Sequence, residues 1–150
     1  VSMLGQFILR LRSAIELLIF PSMILSPFVV QADVIAERKA NFKANAAAIK
    51  AINAALGGGD FDTVIMQAST IADWARVMPD YFPENSDSGN TKARADIWMD
   101  FNGFKSRASG NEQAALTLIS TAKTGDVSAT IGALKALGGT CKSCHDNFKD

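Results

Sequence analysis

This chain has few residues suited to metal or nucleophile chemistry: its 150 residues hold two cysteines and one histidine. A structural zinc site normally takes four protein ligands, and no further Cys or His exists to complete one. An excess of charge of one sign is also missing. Lys+Arg and Asp+Glu stand at 15 each, which argues against a nucleic-acid binder, normally basic. Aromatics make up only 8%. Val and Ile do not gather in the alternating runs that mark half-buried strands. There is no βαβ pattern, no P-loop, no glycine-rich dinucleotide fingerprint and no internal repeat. What remains is 48% hydrophobic and 20% charged, the composition of a folded chain. Its length suits one domain with one core, and abundant alanine favours helix.

Residues 1–32 differ from the rest. Arg10 and Arg12 precede an apolar stretch from Leu17 to Val30, which ends in Val30-Gln31-Ala32, small residues at the spacing a signal peptidase reads. The stretch is about 14 residues, short of the roughly 20 that span a bilayer. The pattern predicts a secretory signal cleaved after Ala32 and a periplasmic mature protein. In such an oxidising compartment two cysteines ordinarily pair.

Four amphipathic segments follow. The first, 33–56, carries Ile35, Phe42, Ile49, Ile52 and Leu56 at helical spacing and ends at Gly57-Gly58-Gly59. Asp60 is placed to cap the second, 61–78, whose predicted buried face is Val64, Ile65, Ala68, Ile71, Ala72 and Ala75. Pro79 stops it, and a turn-rich loop fills 79–90. The third segment is expected from Thr91 to Gly125, with Ile97, Trp98, Phe101, Phe104, Leu116, Ile119 and Ala122, and an irregularity at Ser109-Gly110. The fourth starts at Asp126 with the stripe Val127, Ile131, Leu134, Leu137, Cys141, His145 and Phe148. The predicted fold is all-α, an antiparallel up-down-up-down four-helix bundle.

Every Cys and His of the chain lies in Cys141-Lys142-Ser143-Cys144-His145. This is C-x-x-C-H, the attachment pattern of haem c. Two sulfurs three residues apart can reach one edge of a porphyrin as thioethers, and the histidine that follows can ligate the iron. Cys141 and His145 stand one helical turn apart on one face. A redox-active dithiol usually accompanies a βαβ fold, which is missing here. A plain disulfide leaves unexplained why the sole histidine follows the second cysteine.

On these residues the chain resembles cytochrome c′, the bacterial family with haem c on a four-helix bundle. Leu137-Gly138-Gly139-Thr140 and the motif after it, through Lys149, look like the family's last helix. Met78-Pro79-Asp80-Tyr81-Phe82-Pro83 and Ala95-Asp96-Ile97-Trp98 are similar to its middle loop and the start of its third helix. Arg38, four residues before Phe42, matches its first helix. The resemblance implies one covalent haem c held by Cys141 and Cys144, with His145 as the iron ligand. It implies that Phe42 packs over the opposite haem face, where low-spin relatives carry a methionine ligand. Phenylalanine has no lone pair, and Met66, Met78 and Met99 do not occupy that position. The expected iron is therefore five-coordinate, facing an apolar pocket without hydrogen-bond donors, which holds water poorly and gives dioxygen little help. Arg38 is expected near the haem propionates, with a solvated surface charge as the plainer alternative. Lys149 is expected beside the proximal face, where relatives more often carry arginine, whose planar fork lysine lacks, with a plain surface role as the alternative. Trp74 and Trp98 read as core or interface aromatics rather than functional groups.

The resemblance implies a binder of NO and CO, with some members implicated in NO protection, and homodimers through the first two helices. The alternative is a one-electron carrier between periplasmic partners. An enzyme is not expected, because no acid–base pair is placed to cleave an O–O bond and no distal His or Arg is evident.

Overall fold

The computed structural model describes residues 27–150, with side chains from residue 32 onward. The predicted export signal falls mainly on residues outside that range. Among the described residues there are five α-helices: α1 (Pro27–Gly58), α2 (Phe61–Val77), the single turn α3 (Asp96–Met99), α4 (Phe101–Ala122) and α5 (Val127–Phe148). The four long ones form the expected bundle, with α1 packed along α2, α2 along α4 and α4 along α5. The α1–α5 side has no comparable backbone approach among the described residues. No described helix is long and apolar enough to cross a membrane.

Helix α1 begins six residues before the expected boundary at Asp33. Nothing at Ala32-Asp33 breaks a helix, and proline suits the first helical turn, where its missing N–H is not needed. The helix ends where Gly59 turns left-handed at φ +73°, a conformation glycine enters without steric strain. Asp60 then caps α2 as expected, accepting from Thr63 N at 3.0 Å and Thr63 Oγ1 at 2.6 Å. Beyond Val77 the chain tightens into a 3-10 turn, Met78–Tyr81, through Pro79.

The third segment departs from expectation. Residues 91–95 are not helical, and the break lies at Asp100 rather than at Ser109-Gly110. Asp100 leaves helical geometry (φ −129°, ψ 61°), and its carboxylate accepts from Gly103 N at 2.9 Å, capping α4. A carboxylate three residues before Gly103 competes well for the backbone there. Helix α4 then runs unbroken through Gly110.

Before α3 the chain pairs with the end of α5. Arg94 N donates to Phe148 O, and Asp150 N donates to Lys92 O, each at 3.0 Å. Trp98 fastens the preceding loop by donating its indole N–H to Phe82 O at 3.1 Å and Pro83 O at 2.9 Å.

Two apolar clusters fill the bundle. One is aliphatic and draws on all four long helices: Ala48, Ile52, Leu56, Val64, Ala68, Ile71, Ala72, Ala115, Leu118, Ala122 and Leu137. The other is aromatic and lies toward the C-terminal end of α5, with Trp74, Phe82, Phe104 and Phe148 at its centre. The face that α5 buries is rotated from the predicted stripe: Val127 and Ile131 are exposed, while Thr130 and Leu137 are fully buried. Thr130 passes as an apolar residue because its hydroxyl donates back to Asp126 O at 2.6 Å. In α4, likewise, Leu116 is exposed and Ala115 and Leu118 take the inward positions.

Candidate functional site

The C-x-x-C-H segment occupies the last turns of α5, and α4 addresses it with two side chains. Asn111 is 7% exposed and donates to Thr140 Oγ1 at 2.8 Å and to Cys141 Sγ at 3.7 Å. One turn earlier, Arg107 donates to Ser143 Oγ. Both cysteines are free thiols and half-buried. Burial pushes both above the ordinary thiol pKa. Hydrogen bonds from Asn111 and Thr140 partly offset this at Cys141, as does the Arg107 cation at Cys144. Both are therefore protonated at neutral pH.

His145 lies on the exposed side of the helix. Partial desolvation lowers its pKa, the Lys149 cation adds to that, and Asp146 opposes it. The neutral imidazole, which is the form that binds metals, is favoured. Lys149 caps α5 in extended backbone, donating its N–H to His145 O at 3.2 Å. It forms an isolated antiparallel bridge with Ala93, while its side chain stays exposed.

From α1 come Arg38 and Phe42. The Phe42 ring meets Trp74 edge-on at 5.4 Å and packs on the aromatic cluster, as Cys144 does from α5. Arg38 is 2% exposed, so the surface-charge alternative is overturned. Its guanidinium donates to Ser86 Oγ at 2.9 Å, Ser86 O at 2.6 Å and Thr91 Oγ1 at 2.6 Å. It also sits 4.5 Å above the Phe82 ring. Burial lowers its pKa, and Asp87 counteracts this. Three of its five N–H groups are thus committed to the loop after α2. Arg38, Phe42 and Cys144 converge on one aromatic cluster, whereas Lys149 stays at its margin. Of the methionines, Met66 and Met99 are 58% and 84% exposed and Met78 is buried in the cluster.

Sequence reasoning missed Asn111, Arg107, Ser86, Thr91 and Asn45. Asn111 was legible as the polar member of the α4 stripe Ala108, Asn111, Ala115, Leu118, Ala122, all of it buried. Asn45 was legible in the same way on α1, whose inward stripe reads Ile35, Arg38, Phe42, Asn45, Ile49, Ile52, Leu56. Ser86 and Thr91 gave no periodic signal, because loop partners of a buried arginine depend on tertiary structure.

The donor set fits a haem c group. Two protonated thiols and a neutral imidazole sit within five residues of one helix, and one of them, Cys144, packs beside an aromatic cluster. Among the described residues no group of three or more His, Cys, Asp or Glu is arranged as a metal cage. Fold and site together define a four-helix-bundle cytochrome of the c type.

Comparison with known proteins agrees. The family model described as Cytochrome C' matches residues 33–149, and the chain belongs to that family. A cytochrome c′ of Rhodospirillum rubrum is 46% identical over 83 residues, covering 55% of this chain and 56% of that protein. One from Rhodopseudomonas palustris is 39% identical over 126 residues, covering 81% and 84%. Among solved structures, cytochrome c′ of Shewanella frigidimarina superposes with a TM-score of 0.73 at 31% identity, covering 80% of this chain and 96% of that one.

Proposed function

We propose that this chain is a periplasmic mono-haem cytochrome whose iron is open to NO and CO. The haem is held as thioethers by Cys141 and Cys144 and ligated by His145, and when bound it supplies an iron that takes a diatomic ligand or an electron. The observation that carries this reading is Phe42. It packs on the same aromatic cluster as Cys144, the resemblance matches it to the position where low-spin relatives carry a methionine ligand, and it offers no lone pair. Arg38 keeps two N–H groups beyond its loop contacts for a propionate, and the same contacts hold the loop rim in place. Lys149, exposed beside His145, serves as a surface cation that favours the neutral imidazole. Export is supported by the Arg10/Arg12 and apolar pattern and by the extracytoplasmic chemistry of haem c attachment.

Electron transfer is the second reading. The exposure of His145 favours it, because an exposed ligand implies a cofactor edge near the surface. A homodimer through α1 and α2 is supported by Met66 and Val77, apolar and exposed on α2. A structural neighbour at 26% identity is described as a cytochrome c′ with ligand-controlled dimer dissociation. Sedimentation showing only monomer at micromolar concentration would remove the dimer.

The test is the visible absorption spectrum of the holoprotein, ferric and ferrous, with and without CO. A broad, poorly split ferrous band and a Soret band that moves with CO are expected. Sharp, split ferrous bands indifferent to CO would establish a sixth protein ligand and leave electron transfer as the function. Phe42→Met is expected to convert the iron toward six-coordinate, low-spin spectra, and an unchanged spectrum would show that residue 42 does not face the iron.

A further inference from the structure

Helix α4 reaches the attachment segment with two polar side chains one turn apart, Arg107 and Asn111, while the other residues it buries are apolar. The orientation of the Asn111 amide follows from its partner. Thr140 Oγ1 carries one proton, which it donates to Leu137 O at 2.7 Å. It therefore accepts from Asn111 at 2.8 Å, and the amide must face α5 with its NH₂ group. The second N–H of that group reaches Cys141 Sγ at 3.7 Å. Asn111 is buried, so its dipole acts where water screens it little.

Arg107 donates to Ser143 Oγ, between the two cysteines in sequence. Its charge counteracts the effect of burial on the Cys144 thiol. The nearby cations Lys142 and Arg94 are engaged by carboxylates, Asp146 at 2.6 Å and Asp96 at 3.0 Å. No carboxylate among the described residues forms an ion pair with Arg107. Each sulfur of the motif thus has its own electropositive group on α4. A thioether sulfur still accepts weakly, and Ser143 is untouched by attachment, so both contacts outlast the conversion of thiol to thioether.

We propose that Arg107 and Asn111 raise the reduction potential of the haem carried on Cys141 and Cys144, Arg107 by its charge beside Cys144 and Asn111 by its N–H on the Cys141 sulfur. This rests on the thioether reading above, and on neither gas binding nor electron transfer as the use of the haem. One electron from an external reductant turns the ferric form into the ferrous one and lowers its positive charge by one. No bond changes and no proton moves at either residue. A positive charge or dipole end nearby disfavours the ferric state more than the ferrous one.

The test is potentiometric titration of the holoprotein as wild type, Arg107→Lys, Arg107→Gln, Arg107→Glu and Asn111→Leu. An exposed charge changes an equilibrium constant about 1.5- to 5-fold, which is about 10–40 mV for a one-electron couple. Arg107→Gln is expected to lower the potential by that amount and Arg107→Glu by more, while Arg107→Lys keeps the charge and stays near wild type. These differences should shrink between about 0.01 and 1 M salt, as the Debye length falls from about 30 to 3 Å. Asn111→Leu is expected to lower the potential with little response to salt. Arg107 is exposed, so its variants leave the core intact and decide the inference even if Asn111→Leu folds poorly. Wild-type potentials across the series would overturn the inference. So would an Arg107→Lys potential as low as that of Arg107→Gln, which would reduce Arg107 to a structural contact. A haem that acidified acetone extracts from the wild type would overturn the thioether reading and the inference with it.

Discussion

Arg38→Ala should loosen the loop after α2 and lower stability by about 3 kcal/mol, an estimate built from its contacts. Hydrogen bonds from a charged donor contribute about 1.5–3 kcal/mol each, and a cation over an aromatic face about 1 kcal/mol more. Against them stands a desolvation penalty of several kcal/mol for a buried guanidinium. Truncation relieves that penalty and strands the partners. Two of these retain other bonds: Ser86 Oγ still donates to Pro83 O at 2.8 Å, and Thr91 Oγ1 still accepts from Ala93 N at 3.1 Å. The Ser86 carbonyl does not, and Ser86 is 0% exposed. One stranded acceptor costs roughly 1–3 kcal/mol, and the void left by the stem adds to it. At about 3 °C per kcal/mol for a chain of this size, Tm should fall by about 10 °C. Arg38→Lys should recover part of the loss, because one ammonium reaches one acceptor where the fork reached three. Thermal unfolding by circular dichroism gives the magnitude, and amide exchange over residues 83–91 gives the location. A Tm within about 2 °C of wild type with unchanged exchange in that loop would refute the clamp.

Asn111→Leu should lower stability by about 1 kcal/mol, the net worth of one neutral hydrogen bond, because Thr140 keeps its own bond to Leu137 O at 2.7 Å. A melting temperature equal to wild type would show that the amide does not hold the α5 segment. Asp60 makes stability depend on pH. Hydrogen bonds from Thr63 hold its carboxyl below the usual range. Its contribution is therefore full above the unfolded value, near pH 4, and is lost as pH falls through the lower folded one. Asp60→Ser keeps a cap that does not titrate, so its acid unfolding should be less steep, and superimposable acid profiles would count against the cap.

The sequence showed the helices and the attachment motif well, because both are local. Helical periodicity, the Asp60 cap and the start of α5 at Asp126, whose carboxylate accepts from Ala129 N at 2.9 Å, are written in neighbouring residues, and a C-x-x-C-H run is five consecutive letters. It showed less well how each helix is rotated. Val127 and Ile131 satisfy the helical spacing yet face outward, because Thr130, with its hydroxyl closed on its own helix, occupies the inward line. The break at Asp100 was hidden because a side-chain cap competes with a pattern that runs apolar on both sides of it. Arg38 lies on the inward stripe of α1, but the partners that make its burial tolerable gave no local signal, since they lie 48 and 53 residues away.

The α1 stripe joins these observations. Its far half, Ile49, Ile52 and Leu56, packs with the aliphatic cluster, where shape and apolar area alone decide stability. Its near half alternates Arg38, Phe42 and Asn45, and faces the aromatic cluster and Trp74. A bundle selected only for stability would continue the aliphatic series, since buried polar groups stabilise only when each finds a partner. Arg38 finds its partners in a loop, Asn111 finds them in the attachment segment, and Asn45 and Trp74 find none within the chain. The unmet hydrogen bonds therefore lie where α1 passes Trp74, at a concavity between α1 and α2 that Tyr81 borders.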